Sequence, residues 1–246
     1  MKLFFYLLVF LNLSNLTYSN TIFYLTKIPN LVIHDLSASN GVKYLKAEKS
    51  FRVGIVNNNV ECEVANEKEI NDNFKTIKDN FDKYEKNFLD KVNFKYVVLC
   101  KNLKVSNIKT AGVPNADVKT LIVDVKSDPR YFERSLHHEL FHMIDDSYED
   151  LFSYDIWKMF NKLEFNYAKC STCSNRTDLS LIEDTQGFLT QYSMSTPSED
   201  MAELFSFLMT NKKKITKISL KDKIVEKKIS FLKEEILKID DKFKFE

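Results

Sequence analysis

The chain holds four histidines in 246 residues, and three of them fall in one twelve-residue stretch, Ser135 to Asp146, reading SLHHELFHMIDD. Within it His138-Glu139-Leu140-Phe141-His142 forms an H-E-x-x-H pattern. Positions four apart on a helix lie one turn above each other, so His138 and His142 aim their rings at one point. Two imidazoles on a rigid turn supply half of a tetrahedral zinc shell. Glu139 sits beside them, placed to take a proton from an activated water. Leu136, Leu140 and Met143 recur at three-to-four spacing and can seat this helix in a core. His137 points off the shared face and reads as a residue behind the ligands or on the surface.

A catalytic zinc shell has three protein ligands and one open position. No histidine follows His142, so the third donor is a carboxylate or the distant His34, which reads better as an edge or surface residue. Glu199 and Glu203, in the stretch PSEDMAELFSF, stand one turn apart on a second helix. One can bind the ion while the other accepts a hydrogen bond from a ligating imidazole, an arrangement that fixes ring orientation. The spacing leaves open which of the two does which.

The segments HHELFHMID and GFLTQYSMSTPSEDMAELFSF together resemble the gluzincin metallopeptidases. That group includes the catalytic domain of anthrax lethal factor and the bacterial "putative zinc-binding metallopeptidases". The resemblance covers roughly residues 130–210. It implies a zincin-like α+β fold, with His138, His142 and Glu199 as zinc ligands and Glu139 as general base. It also implies that Tyr192 stabilises the oxyanion or protonates the leaving group, and that Glu203 is the companion of Glu199. The chain departs from the family's pattern at Phe141, where a glycine is usual, and at Glu203, where an aspartate is more familiar. Both departures bear on the shape of the substrate pocket.

The elements that must position these groups are legible in outline. Thr21–Lys27, Leu31–His34 and Phe51–Val56 read as strands of a small sheet, and Tyr96–Cys100 and Lys119–Val125 as two more. Ile70, Phe74, Ile77, Phe81, Tyr84 and Phe88 recur at four-three spacing and predict one long amphipathic helix over Glu67–Val92. Ala111–Asp117 reads as a loop, and Tyr148–Ala168 as mostly helical. Ser195 to Asp200 combines capping residues, a proline and early acids, a well-marked helix start. The expected architecture is α+β, a small mixed sheet over a metal-binding helix, with a mostly helical C-terminal half. A free sheet edge beside the metal helix would let a peptide bind as an added strand.

Residues 1–19 read as a secretory signal, with Lys2, then an apolar run over Leu3–Leu11, and small residues before a cut near Ser19/Asn20. Residues 20–210 form the metallopeptidase domain and 211–246 a Lys-rich helical extension docked on it. Cys62, Cys100, Cys170 and Cys173 fit an oxidising destination, with Cys170/Cys173 either a local bridge or half of two crossed ones. Asn175-Arg176-Thr177 is a glycosylation sequon in a polar loop. A net charge of +1 gives no field for nucleic acid, and no run after the signal is long enough to span a membrane. The sequence therefore predicts a secreted zinc endopeptidase acting on peptide or protein substrates. The competing reading is a catalytically inactive zincin-fold binding or toxin-like module, against which the complete His138, Glu139, His142 and Glu199 set argues.

Overall fold

The computed structural model describes residues 21–54 and 59–245. The expected signal segment, residues 1–19, lies outside the described residues. Residues 21–26 are helical, not the expected strand. Local bonds account for this: Lys27 N–H donates to the Phe23 carbonyl, and the Thr26 hydroxyl to that of Ile22. The positive φ of Lys27 and Asn30 then turns the chain into the sheet.

The sheet is built around β5 (Tyr96–Val105), which faces different neighbours along its two halves. Its first half runs parallel to β2 (Lys43–Ala47) and β8 (Thr120–Asp124). Beyond these lie β1 (Leu31–Asp35), antiparallel to β2, and β7 (Gly112–Asn115), antiparallel to β8. Its second half pairs antiparallel with β4 (Val60–Glu63) and with β6 (Ile108–Lys109), and β3 (Phe51–Val53) lies outside β4. A disulfide between Cys62 and Cys100 ties β4 to the middle of β5. The near-continuous apolar run Tyr96–Cys100 follows from burial on both faces. Val97 and Leu99 enter one core with the helices, and Val98 and Cys100 a smaller one on the opposite face.

The long helix expected over 67–92 is two helices, α1 (Glu67–Phe81) and α2 (Lys86–Lys91). A reciprocal cap between Asn66 and Glu69 starts α1. The break has a specific donor: the Asn40 side-chain amide donates to the carbonyls of Phe81 and Tyr84 at 2.8 and 3.3 Å. Those carbonyls are thereby taken from a continuing helix. The apolar stripe keeps one face across the break, with Ile70, Ile77, Phe81, Tyr84 and Phe88 all in the main core.

Two further expectations are corrected. The loop expected over Ala111–Asp117 contains strand β7, and Pro114 is tolerated there because this is a sheet edge that asks no hydrogen bond of its missing N–H. The helical region expected over Tyr148–Ala168 contains only α4 (Tyr154–Met159), capped by Ser153. The rest of it lashes to the next helix instead. Ala168 N–H donates to the Ser195 carbonyl, and the Tyr167 hydroxyl to Asp200.

The metal-motif helix is α3 (Phe132–Ser147). It packs against α5 (Pro197–Thr210), whose start is fixed by the Thr196 side chain accepting from Glu199 N–H and by Pro197 in the first turn. Two helices follow, α6 (Lys212–Ser219) and α7 (Lys223–Ile239). Val225, Ile229, Leu232, Ile236 and Ile239 of α7 enter the same core as α3 and α5. No helix among the described residues is long and apolar enough to cross a membrane.

One buried ion pair joins α7 to α5. Lys228 Nζ lies 2.6 Å from Asp200 Oδ2, which also accepts from Trp157 Nε1 and the Tyr167 hydroxyl. Both charged side chains are at most 3% exposed. Replacing Lys228 by Met keeps most of the volume but leaves the Asp200 carboxylate short of its cation. We expect Lys228→Met to lose about 3–5 kcal/mol in urea unfolding; a loss below about 1 kcal/mol would contradict the pinning role.

Candidate metal centre

Helix α3 presents His138 and His142 on one face, with ring centroids 4.9 Å apart and their Nε2 atoms 3.2 Å apart. Helix α5 brings Glu199 across to them. Its Oε2 lies 2.9 Å from His138 Nε2 and 3.4 Å from His142 Nε2. Among the described residues these three form a group whose ligand atoms all lie within 4.8 Å of one another. Nitrogen and oxygen ligands about 2.0–2.2 Å from a tetrahedral ion stand roughly 3.3 Å apart. The three separations bracket that value, and two imidazoles with a carboxylate suit a borderline-soft divalent ion. The donor set fits a metal.

The far sides of both rings are held. Glu203 Oε1 lies 3.0 Å from His138 Nδ1, and its Oε2 accepts from the Thr190 hydroxyl at 2.8 Å. Arg134, almost buried, lies 3.6 Å from the same carboxylate and stacks on Phe207. His142 Nδ1 is 3.2 Å from Ser198 Oγ, which donates to Asp145 Oδ2; the Tyr154 hydroxyl donates to that same oxygen. Thr190, Arg134, Ser198, Asp145 and Tyr154 were not singled out from the sequence. Asp145 had a readable signal, an acid three residues after His142 and so on the same helix face. Thr190 and Ser198 carried none, since polar residues in a loop or in the first turn of a helix are ordinary.

The electrostatics favour positive charge between the helices. Burial works against a cation at His138, but the carboxylates of Glu199 and Glu203 outweigh it and lift its pKa to about 10. His142 is raised as well, burial opposing and Glu199 prevailing. Glu199 behaves conversely: burial would raise it, yet the two histidines hold it well below the usual carboxylate range. At Glu139 burial dominates, pushing its carboxyl up to about 7, with the histidines opposing and Glu199 assisting.

Glu139 lies against the sheet edge. A Cβ built on Gly112 of β7 would fall 2.7 Å from Glu139 Cγ and 3.3 Å from its Cδ, so this strand position has no room for a side chain. Tyr192, in a short 3₁₀ turn (Tyr192–Met194), places its ring 5.9 Å from that of His138. Burial, then the Glu199 charge, raises its pKa and keeps the phenol protonated. A cavity of about 410 Å³ opens here, lined by His138, Glu139 and Tyr192 and continuing past Ser135 and Leu179. Ser171 and Thr172, inside the Cys170–Cys173 bridge, form part of its wall.

Two histidines lie elsewhere. His137 is fully buried, neither behind the ligands nor on the surface: its ring bonds to the Tyr84 hydroxyl and to Asn80 Oδ1. Burial lowers its pKa to about 3, so it is a neutral core residue that locks α1 to α3. His34 is on β1, stacked edge-on against Phe74 and away from the cluster.

Residues 115–243, just over half of the chain, match the family described as "Putative zinc-binding metallo-peptidase", and the chain belongs to that family. A crystal structure of a protein described as a putative zinc-binding metallo-peptidase, from Bacteroides caccae ATCC 43185, is also similar. It has 17% sequence identity and a TM-score of 0.49, over 82% of this chain and 82% of that one. No curated protein matches the chain.

The support behind His138 generates a test. Glu203→Ala should weaken zinc binding about 10- to 100-fold without changing its stoichiometry, read by competition with a chromogenic chelator. An affinity equal to that of the unaltered protein would show that Glu203 does not orient the ring.

Proposed function

We propose that the protein is a secreted zinc-dependent endopeptidase. One observation carries the reading: the half-buried Glu139 carboxylate stands beside a His138–His142–Glu199 donor group at an open sheet edge. In this reading His138, His142 and Glu199 hold the ion, and Glu203 and the Ser198–Asp145 pair fix the two rings. The ligand pattern, with its carboxylate supplied by a second helix, is that of the gluzincins. The Cys62–Cys100 and Cys170–Cys173 bridges and the signal-like residues 1–19 support an extracellular destination.

When bound, zinc supplies a Lewis acid that makes water more acidic and a carbonyl more electrophilic. The chain's own groups do the rest. Strand β7 pairs with β8 along one edge, so its other edge can take an extended peptide as an added strand. That places the scissile carbonyl over the α3 histidines. A carboxylate oxygen of Glu139 accepts a proton from the attacking water and returns it to the amide nitrogen as the C–N bond breaks. The buried setting of Glu139 raises its proton affinity toward neutrality, which suits a group that must both take and give. The Tyr192 hydroxyl donates a hydrogen bond to the oxygen that gathers negative charge.

Glu139→Gln should abolish hydrolysis of a mixed peptide library while the variant still binds one zinc; turnover at the unaltered rate would refute the base assignment. Gly112→Ala should displace the Glu139 side chain. We expect kcat to fall by up to about 100-fold with zinc affinity unchanged. Unchanged kcat would mean that β7 does not set the position of Glu139.

A further inference from the structure

The C-terminal extension contains a second feature that the metal site does not use. Between Glu203 and Asp222 the chain has no acidic residue, and residues 211–221 carry Lys212, Lys213, Lys214, Lys217 and Lys221. The structure separates this stretch from α7, where lysines and glutamates mix, and makes it the short helix α6. All five lysines are exposed. Lys212 donates to the Phe245 carbonyl, but no carboxylate pairs with any of the five among the described residues.

The arrangement is one-sided. At 3.6 residues per turn, Lys213, Lys217 and Lys214 fall within about 100° of arc. Ile215, fully buried, points to the opposite side and anchors the helix to the core. Leu220, just past the last turn and 72% exposed, continues the lysine face, with Lys221 following it. Beside the helix is a hollow of about 730 Å³ lined by Lys83, Met209, Lys213 and Lys217. A face with one sign of charge and an unburied leucine at its end matches a surface that is anionic outside and apolar just beneath.

We propose that α6 docks the protein on anionic phospholipid bilayers, the lysines meeting headgroup phosphates and Leu220 entering the interface. Nucleic acid is disfavoured as the occupant. The face offers lysine but no arginine fork or aromatic platform, and an exposed leucine gains little against a phosphate backbone. The position is compatible with catalysis. Helix α5 carries Glu199 in its first turn and runs into Lys212 thirteen residues later, so the face lies roughly 20 Å along the helix from the metal centre. The inference does not rest on the peptidase reading, because it concerns residues outside that site.

The test is vesicle co-sedimentation of the purified protein, with and without zinc. Phosphatidylcholine vesicles are compared with vesicles containing 30% phosphatidylserine. We expect pelleting with the anionic vesicles only, equal in both metal states and reversed by 0.5 M salt. Each lysine near the surface is worth about a fivefold change in affinity, so Lys213→Glu/Lys214→Glu/Lys217→Glu should weaken binding by about 100-fold or more. Leu220→Ser should weaken it by about tenfold. All the substituted side chains are exposed, and unaltered thermal unfolding would confirm intact folds. Absence of pelleting, or full binding by the triple variant, overturns the proposal. So does an unchanged Leu220→Ser affinity coupled with equally tight binding to heparin or duplex DNA, which would mark the face as a general polyanion patch.

Discussion

The structure depends on how helices α3 and α5 meet. One brings two imidazoles to the contact and the other two carboxylates, with Glu139 as a third acid alongside. Three acids in a largely buried space repel one another unless positive charge lies between them. The site answers this in its own titration, drawing the histidines toward their cationic forms and holding Glu199 ionised. A divalent ion satisfies the same demand without protons. The geometry that would bind metal and the electrostatics that would require it are one constraint seen twice.

The rest of the fold keeps that contact in register. On the α3 side, His137 bonds to Tyr84 and Asn80, fixing the helix against α1. On the α5 side, Asp200 takes hydrogen bonds from Trp157, Tyr167 and Lys228, so the residue next to Glu199 is clamped by α4, its following loop and α7. The C-terminal extension therefore enters the core that supports the centre. The sheet contributes an edge: β5 and β8 form its buried middle, and β7 brings Gly112 against Glu139.

The two helices that carry the candidate metal group were more legible in the sequence than the rest of the scaffold. An i, i+4 histidine pair and a strongly marked helix start are local patterns, and α3 and α5 stand where those patterns lie. Apart from residues 21–26, where local bonds close a helix, the errors fell where a distant group decides local structure. Nothing within 67–92 marks the break at Phe81, because the donor that makes it is Asn40. Strand β7 looked like a loop because Gly112 and Pro114 punctuate it, and only its place at a sheet edge makes both acceptable. Tyr148–Ala168 had helical composition, yet its polar groups are spent on Asp200 and Ser195. Of the supports behind the histidines, Glu203 was read from its spacing on α5 and Asp145 was readable on the motif helix, whereas Thr190 and Tyr154 come from distant segments that no local pattern marks.

The central claim is that His138, His142 and Glu199 together hold one zinc ion. Zinc-edge anomalous diffraction from crystals of the zinc-loaded protein tests it most directly. The account predicts a single strong peak at about 2.0–2.2 Å from both Nε2 atoms and one Glu199 oxygen, with Glu203 still on His138 Nδ1. A peak elsewhere, or one coordinated without Glu199, would contradict it.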